Sequence, residues 1–299
     1  MSDLPTTGKR ALSVDEREGE PTQPTIRRIR RYGVRPDRDL GQSFLIDSNI
    51  IRVVAAAANL NAADVVLEIG GGLGTLSEHL APQVAHLHVV EIDRRLEEPL
   101  TEALAPFGNV ALHWGDAMRI DLAALRPTPS KLVANLPYGI AAGVLLRTVQ
   151  DLVQMRCWVA MVQREVGERL AAPPGSGLYG ISSVIAQSSC EVHIIRPISR
   201  TVFHPVPNVD SVLVSMVRAG PAASPALSKL VRAAFAHRRK SLSKSVSIAS
   251  GDDPRLVREN LAKALAQLRL PHDVRAERLT PAQFCRLAHL LTDEGAAEE

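Results

Sequence analysis

Four short clusters in this chain carry residue types whose spacing could serve ligand binding or chemistry. The first, Glu68-Ile69-Gly70-Gly71-Gly72-Leu73-Gly74, follows a short apolar run and precedes a helical pattern. Glycine suits that junction because the chain turns sharply there and a ligand must approach bare backbone. Gly70, Gly72 and Gly74 give G-x-G-x-G, but Thr75 stands where a nicotinamide fingerprint wants a sixth-position glycine or alanine. Glu91 lies 21 residues after Gly70, at the end of His88-Val89-Val90. A carboxylate at such a strand end accepts hydrogen bonds from both hydroxyls of a ribose. The next apolar run ends in Gly115-Asp116-Ala117, where a carboxylate can accept from an adenine amino group. Two acids at successive strand ends beside a glycine loop favour an adenosine-containing cofactor.

The fourth cluster, Asn135-Leu136-Pro137-Tyr138, ends a further apolar run. The exocyclic nitrogen of adenine is a poor nucleophile, since its lone pair is delocalised into the ring. The Asn135 side-chain oxygen and the Leu136 carbonyl could accept hydrogen bonds from that amine and draw it towards tetrahedral geometry, with Pro137 fixing the turn. Tyr138 offers a face on which an extruded base can stack. No strong base is required, because the amine proton becomes acidic once an alkyl group has arrived; alignment supplies the rest.

These clusters need a scaffold that brings strand ends together. Val65 to Ile69, His86 to Ile92, Val110 to Trp114, Leu132 to Ala134 and Cys157 to Val162 read as strands. Helical patterns run from Arg94 to Leu104 and from Ala141 to Leu152. The alternation predicts a parallel sheet covered by helices on both faces. Glu191 to Ile195 and Val212 to Val217 lack a helix-length connection and predict an antiparallel pair at the sheet edge. Before the sheet, Ser48 to Leu60 reads as a helix capped by Ser48, and Thr25 to Tyr32 as a short basic helix stopped by Gly33 and Pro36. Residues 1–24 read as a disordered tail, 25–219 as the sheet domain, and 220–299 as a small all-helical domain with helices over Ala226–Lys240, Pro254–Leu268 and Pro281–Leu291. Gly175-Ser176-Gly177-Leu178-Tyr179-Gly180 matches G-x-G-x-x-G literally, but it follows a helix and Pro173-Pro174 rather than a strand and reads as a loop.

The 299 residues are 45% apolar and 22% charged, the balance of an ordinary globular chain. Apolar runs are too short to span a bilayer, and the start of the chain has no signal-peptide pattern. Cys157, Cys190 and Cys285 suggest neither a disulfide frame nor a zinc site, and the nine histidines show no ligand spacing; the reading is a cytoplasmic protein with no metal. Net charge is only +3, yet five arginines and no carboxylate lie between Thr25 and Pro36. Six Lys/Arg and no acid lie between Pro221 and Ser250. Within the second run, Arg238, Arg239 and Lys240 follow Leu230 and Phe235, so their side chains are expected to project outward as a polyanion-binding surface.

Leu40-Gly41-Gln42-Ser43-Phe44-Leu45, the Glu68–Gly74 loop, Glu91, Gly115-Asp116, Asn135-Leu136-Pro137-Tyr138 and Phe203-His204-Pro205-Val206-Pro207-Asn208-Val209-Asp210-Ser211 occur in that order. Together they resemble the KsgA/RsmA family of small-subunit rRNA adenine dimethyltransferases, from about Arg27 to Leu291. The resemblance implies a Rossmann-like class I methyltransferase sheet with a helical C-terminal domain and S-adenosylmethionine as cofactor. It implies dimethylation at N6 of two adjacent adenosines in the 3′-terminal hairpin loop of 16S rRNA, in the small ribosomal subunit or its precursor, by a monomer. Ser43, Leu45, Gly70, Gly72, Glu91, Asp116 and Asn135 would line the cofactor, Phe203 would stack on the target base opposite Tyr138, and Arg238, Arg239 and Lys240 would face rRNA. Ser43, Gly71 and Gly139 depart from the family's usual Asn or His, Pro and Asn; Gly71 is expected to loosen its loop. Two alternatives stand beside this reading: the sister enzymes that methylate one adenosine of large-subunit rRNA, which usually carry Ile where Leu136 stands, and a non-catalytic ribosome-assembly or transcription factor on the same scaffold.

Overall fold

A computed structural model of the chain describes residues 23–37 and 39–296; the expected disordered tail lies, up to residue 22, outside them. Seven strands form one sheet in the order β4-β3-β2-β5-β6-β9-β7. These are β2 (Val65–Ile69), β3 (His86–Glu91), β4 (Val110–Trp114), β5 (Lys131–Asn135), β6 (Cys157–Gln163), β7 (Cys190–Ile198) and β9 (Ser211–Arg218). The first five run parallel, and β9 lies antiparallel between β6 and β7. β2, β5 and β6 read as near-continuous apolar runs because both their faces are covered: Leu67, Val133, Ala134, Val159 and Met161 are all at most 1% exposed.

The strand order reverses direction of growth at β2, which has β3 on one side and β5 on the other. The loops leaving the carboxyl ends of β2, β3, β4 and β5 therefore converge on one crevice, where open α/β sheets bind ligands. Two apolar clusters cover the faces. One packs α5 (Ala141–Asp151) through Val144, Leu145 and Val149. The other packs α2 (Ser48–Ala57), α3 (Ser77–Leu80) and α4 (Glu97–Leu104) through Val54, Leu80 and Leu100. The cap of α2 is Asp47, whose carboxylate accepts from the Asn49 and Ile50 amides, and not Ser48. The aspartate stands one residue outside the helix, where side chains can reach the orphan amides.

A two-residue pair joins β1 (Phe44–Leu45) to β8 (Phe203–His204). Ahead of β1, α1 (Pro24–Arg31) is tied down despite its charge. Arg28 forms a forked ion pair with Glu78 and donates to the Leu73 carbonyl at 2.9 Å. Thr25 Oγ1 donates to the Leu45 carbonyl at 2.9 Å.

After β9 come α8 (Pro225–Ala236), α9 (Leu242–Ala249), α10 (Pro254–Gln267) and α11 (Pro281–Ala296). The expected helix over 226–240 stops at Ala236, and a helix not anticipated, α9, begins at Leu242. A third apolar cluster joins these helices to α7 (Ile181–Gln187), with Tyr179, Phe235 and Phe284 at its centre. The 175–180 segment is a loop packed against these helices and the 277–279 turn. Tyr179 is fully buried and donates through its hydroxyl to the Leu279 carbonyl at 2.8 Å. No helix among the described residues is long and apolar enough to cross a membrane.

Candidate active site

The loop after β2 is shaped by glycines at φ +84° (Gly70), +57° (Gly72) and +76° (Gly74), a region that side chains disfavour. A Cβ at Gly70 would stand 3.2 Å from Pro137 Cδ, and one at Gly72 3.3 Å from Phe44 Cδ1, so the crevice keeps its width only with bare backbone at those two positions. A Cβ at Gly71 would meet Val89 Cγ1 at 2.4 Å, so this backbone path packs directly onto β3. The loop is further held by Gly70 N donating to the Val90 carbonyl and Gly72 N donating to Glu91 Oε2, both at 2.8 Å.

Glu91 is 5% exposed. Its Oε2 accepts from Gly72 N, and its Oε1 accepts from Ile92 N and Asp93 N, each at 2.9 Å. Burial pushes its carboxyl above the usual carboxylate range, and the three amides offset only part of that rise. A carboxylate offers about four lone-pair sites; the amides take three. One site on Oε2 remains for a hydroxyl, where the sequence reading gave Glu91 both hydroxyls of a ribose. Glu68, on β2, is 1% exposed; burial pushes its carboxyl up to about 8, with the Glu91 charge adding to the rise and the Ser77 hydroxyl opposing it.

At the end of β5, Asn135 Nδ2 donates to the Ser43 carbonyl at 3.2 Å, which aims Oδ1 as the acceptor left for another group. Leu136 buries its side chain (1% exposed) and donates its N–H to the Met161 carbonyl at 3.1 Å. Its backbone is thus what it offers the crevice. The Pro137 carbonyl accepts from Ile140 N at 3.2 Å, closing the turn. The Tyr138 hydroxyl lies 2.8 Å from Ser211 Oγ on β9, which fixes the ring at the mouth; desolvation pushes its phenol upward. Asp116 orients itself by accepting from Met118 N at 2.8 Å and pairs with Arg119 at 3.5 Å.

Ser43, Gly70, Gly72, Glu91, Asn135, Leu136, Pro137 and Tyr138 line one cleft. Asp116 lines an adjoining one that shares Gly70, Glu91 and Pro137 with it. Two expected residues stand apart. Leu45 is 5% exposed inside an apolar cluster, and its carbonyl is taken by Thr25. Phe203 is 1% exposed in the same cluster as Ile198 and Leu213; paired with Leu45 across β1–β8, it presents no face for a base opposite Tyr138. Sequence reasoning missed Ile92, which is 48% exposed and lines both clefts beside Glu91. An apolar residue exposed directly after the strand-end acid was the available signal. Gln42 and Pro205 were also missed: Ser43 Oγ donates to the Pro205 carbonyl at 2.8 Å, binding the 40–44 strap to the 203–207 segment.

The basic run after α8 is divided in its roles. Arg238 Nη2 donates to the Tyr179 carbonyl at 2.8 Å and the Gly177 carbonyl at 3.2 Å, and its guanidinium lies over Phe235. It fastens the 175–180 loop to the helices while remaining exposed, as do Arg239 and Lys240. A larger cleft of ≈ 550 Å³ between the C-terminal helices contains none of the motif residues.

A mostly parallel sheet with an antiparallel strand inserted beside its edge, a glycine loop after β2 and acids ending β3 and following β4 define a class I methyltransferase fold. Solved structures agree on that fold: a dimethyladenosine transferase from Plasmodium falciparum superposes with a TM-score of 0.69 over 84% of this chain and 98% of its own, at 22% identity. The 23S rRNA methyltransferase ErmE gives 0.60 over 83% and 99%, at 24% identity. Residues 35–293 match the family described as ribosomal RNA adenine dimethylase, and the chain belongs to that family. Among its relatives, ribosomal RNA small subunit methyltransferase A of Ligilactobacillus salivarius is 38% identical over 275 residues, 88% of this chain and 93% of the relative. The protein of the same name from Rubrobacter xylanophilus is 40% identical over 255 residues, 85% and 94% of the two chains.

Proposed function

We propose that this chain transfers methyl groups from S-adenosylmethionine to N6 of two adjacent adenosines in the 3′-terminal hairpin loop of 16S rRNA, dimethylating each during small-subunit biogenesis. One observation carries the reading: the Asn135 amide is oriented by the Ser43 carbonyl, so that Oδ1 is the free acceptor beside the Leu136 backbone, Tyr138 and the glycine loop. The cofactor supplies an electrophilic methyl group. Gly70, Gly72, Glu91, Ser43 and Asp116 hold it, with Glu91 Oε2 accepting a ribose hydroxyl. Asn135 Oδ1 and the Leu136 carbonyl accept from the target amine, Pro137 holds the turn, and Tyr138 provides the stacking face. The names of the relatives support the small-subunit substrate over its large-subunit counterpart.

In this reading residues 25–219 form the methyltransferase domain, and 220–299 a helical rRNA-contacting domain whose exposed Arg239 and Lys240 meet phosphates. The protein acts as a cytoplasmic monomer on 16S rRNA within the subunit or its precursor. The test is incubation with labelled cofactor and unmethylated small subunits, followed by mapping of the label. Two neighbouring dimethyladenosines near the 3′ end are expected. Label on large-subunit rRNA favours the sister activity, and cofactor binding without transfer returns the chain to a non-catalytic assembly factor.

A further inference from the structure

The strap that walls one side of the cofactor cleft is fastened by a closed ring of polar contacts centred on Arg95. Arg95 grips Asp93 with a two-pronged contact, Nε to Oδ1 at 2.7 Å and Nη2 to Oδ2 at 2.8 Å. The same Nη2 reaches Asp37 Oδ2 at 2.7 Å. Gln42 Nε2 donates to Asp93 Oδ2 at 2.7 Å, while Gln42 Oε1 accepts from Asp37 N at 2.8 Å and Gln42 N donates to the Asp37 carbonyl at 3.0 Å. Asp37 Oδ1 also accepts from Asp39 N at 2.9 Å, shaping the turn that leads into the strap. Arg95 holds the Asp37 carboxyl below its ordinary range. Burial raises Asp93, but its contacts with Arg95 and Gln42 reverse that and leave it lowered as well.

What this ring fastens is residues 40–43, all of which line the cleft. Gly41, at φ +63°, passes so close to the next wall that a Cβ would stand 3.3 Å from Tyr138 N, and the Ser43 carbonyl is the group that orients Asn135. The ring itself faces solvent on the Arg95 side (59% exposed) while Asp93 is buried at 5%. We infer that Arg95 is a positioning residue: its bridge between Asp93 and Asp37 latches the 40–43 strap over the cofactor cleft and sets how fast cofactor leaves. The inference rests on the reading of that cleft as the S-adenosylmethionine site. Because the bridging guanidinium is exposed, salt weakens the latch, whereas the buried hydrogen bonds of the site are screened much less.

The experiment measures release of labelled S-adenosylmethionine from full-length protein chased with unlabelled cofactor, at about 50 mM and about 500 mM NaCl. Arg95→Ala should release cofactor about tenfold faster and raise its KM, while kcat at saturating cofactor falls less than about threefold. Wild type should release faster at high salt, and Arg95→Ala should lose that salt response. Asp37→Asn, which keeps the strap's shape but removes one charge of the bridge, should behave in the same direction. Arg95→Lys should recover only part of the wild-type rate, since an ammonium cannot reproduce the fork. Arg94→Ala, which breaks the neighbouring ion pair to Glu97, should release at the wild-type rate. A folded Arg95→Ala that releases at the wild-type rate, or keeps the salt response, overturns the latch while leaving the site intact. A wild-type protein that binds no S-adenosylmethionine overturns both.

Discussion

Glu68 is a carboxyl buried in the sheet beside the glycine loop, and replacing it with glutamine should stabilise the protein by an amount that grows with pH. Its side chain is 1% exposed, Oε2 finds no hydrogen-bond partner, and burial pushes it up from 4.5 to about 8. The folded protein therefore retains a proton that the unfolded chain gives up near 4.5. Between those two values the folded state binds more protons, so stability falls as pH rises. At about 1.4 kcal/mol per unit of difference, the loss between pH 5 and pH 8 comes to about 3–4 kcal/mol. Glutamine occupies nearly the same volume and does not titrate, so the variant lacks this slope. Groups remote from Glu68 titrate equally in both proteins and cancel in the difference, and Glu91, whose charge adds to the rise, is the coupled neighbour. Trp114 on β4 and Trp158 on β6 lie in the same sheet, and their emission during urea unfolding reports the sheet at each pH. A difference between wild type and Glu68→Gln that stays flat from pH 5 to pH 8 would falsify the burial argument, because it would mean that the carboxylate ionises with its charge already solvated or paired.

Glu91→Ala should weaken cofactor binding by ~1.5–3 kcal/mol, since the cleft loses a charged acceptor and Gly72 N loses its partner; calorimetry on folded variant would decide, and unchanged affinity removes Glu91 from the site. Tyr138→Ala should lower turnover through loss of a stacking face worth about 1–3 kcal/mol, whereas Tyr138→Phe keeps the face and should retain most activity despite losing the Ser211 contact; equal losses in the two variants would show that the hydroxyl, not the ring, matters. Replacing Arg239 and Lys240 together with Gln should flatten the slope of log K against log salt for small-subunit binding by about 1.4–1.8, while Arg238→Gln should also lower the unfolding midpoint, because its two carbonyl partners at 177 and 179 go unpaired. Lowering the pH should destabilise the β3–β4 edge: His88, 1% exposed, is held below its ordinary range chiefly by burial, and so are His86 and His113. Stability is then lost as pH falls below about 6.5, by at most about 1.4 kcal/mol per unit per histidine, and His88→Gln should make the acid limb of the stability curve shallower.

Much of the sheet was legible because buried parallel strands write themselves as apolar runs ended by glycines or acids. Val65–Ile69 and Val110–Trp114 coincide with the expected runs, and the others differ by a residue or a few at an end. Motif residues that act through backbone shape or a strand-end carboxylate were legible for the same reason, since their role is local: Gly70, Gly72, Glu91 and Asn135 fall in one cleft. What escaped depends on partners far away in sequence. Phe203 looks free for stacking until β8 is placed against β1, a pairing of two residues per strand across 158 positions (203 − 45) with no periodicity to announce it. Arg238, exposed as expected, is also tied to the 175–180 loop, a contact that its place in the basic run does not announce.

The same distinction explains why the segment 40–43 mattered more than its sequence suggested. Gln42 and Ser43 are ordinary polar residues in a stretch without regular structure, and neither their type nor their spacing assigns a partner. Once the fold closes, each becomes a tie: Gln42 to Asp93 on the β3 side, Ser43 through its hydroxyl to Pro205 and through its carbonyl to Asn135. The residue that aims the Asn135 amide is thus held by a strap outside the sheet, tied to Asp93 just beyond β3 and to Pro205. Strand geometry fixes where Asn135 stands, but the direction of its Oδ1 follows from the strap. A substitution in the strap should therefore impair alignment of the amine without disturbing the sheet, and a substitution in the sheet core should unfold the site before it misaligns it. Separating those two outcomes, by turnover in variants whose unfolding midpoint is unchanged, distinguishes a cleft built by its strands alone from one completed by the strap.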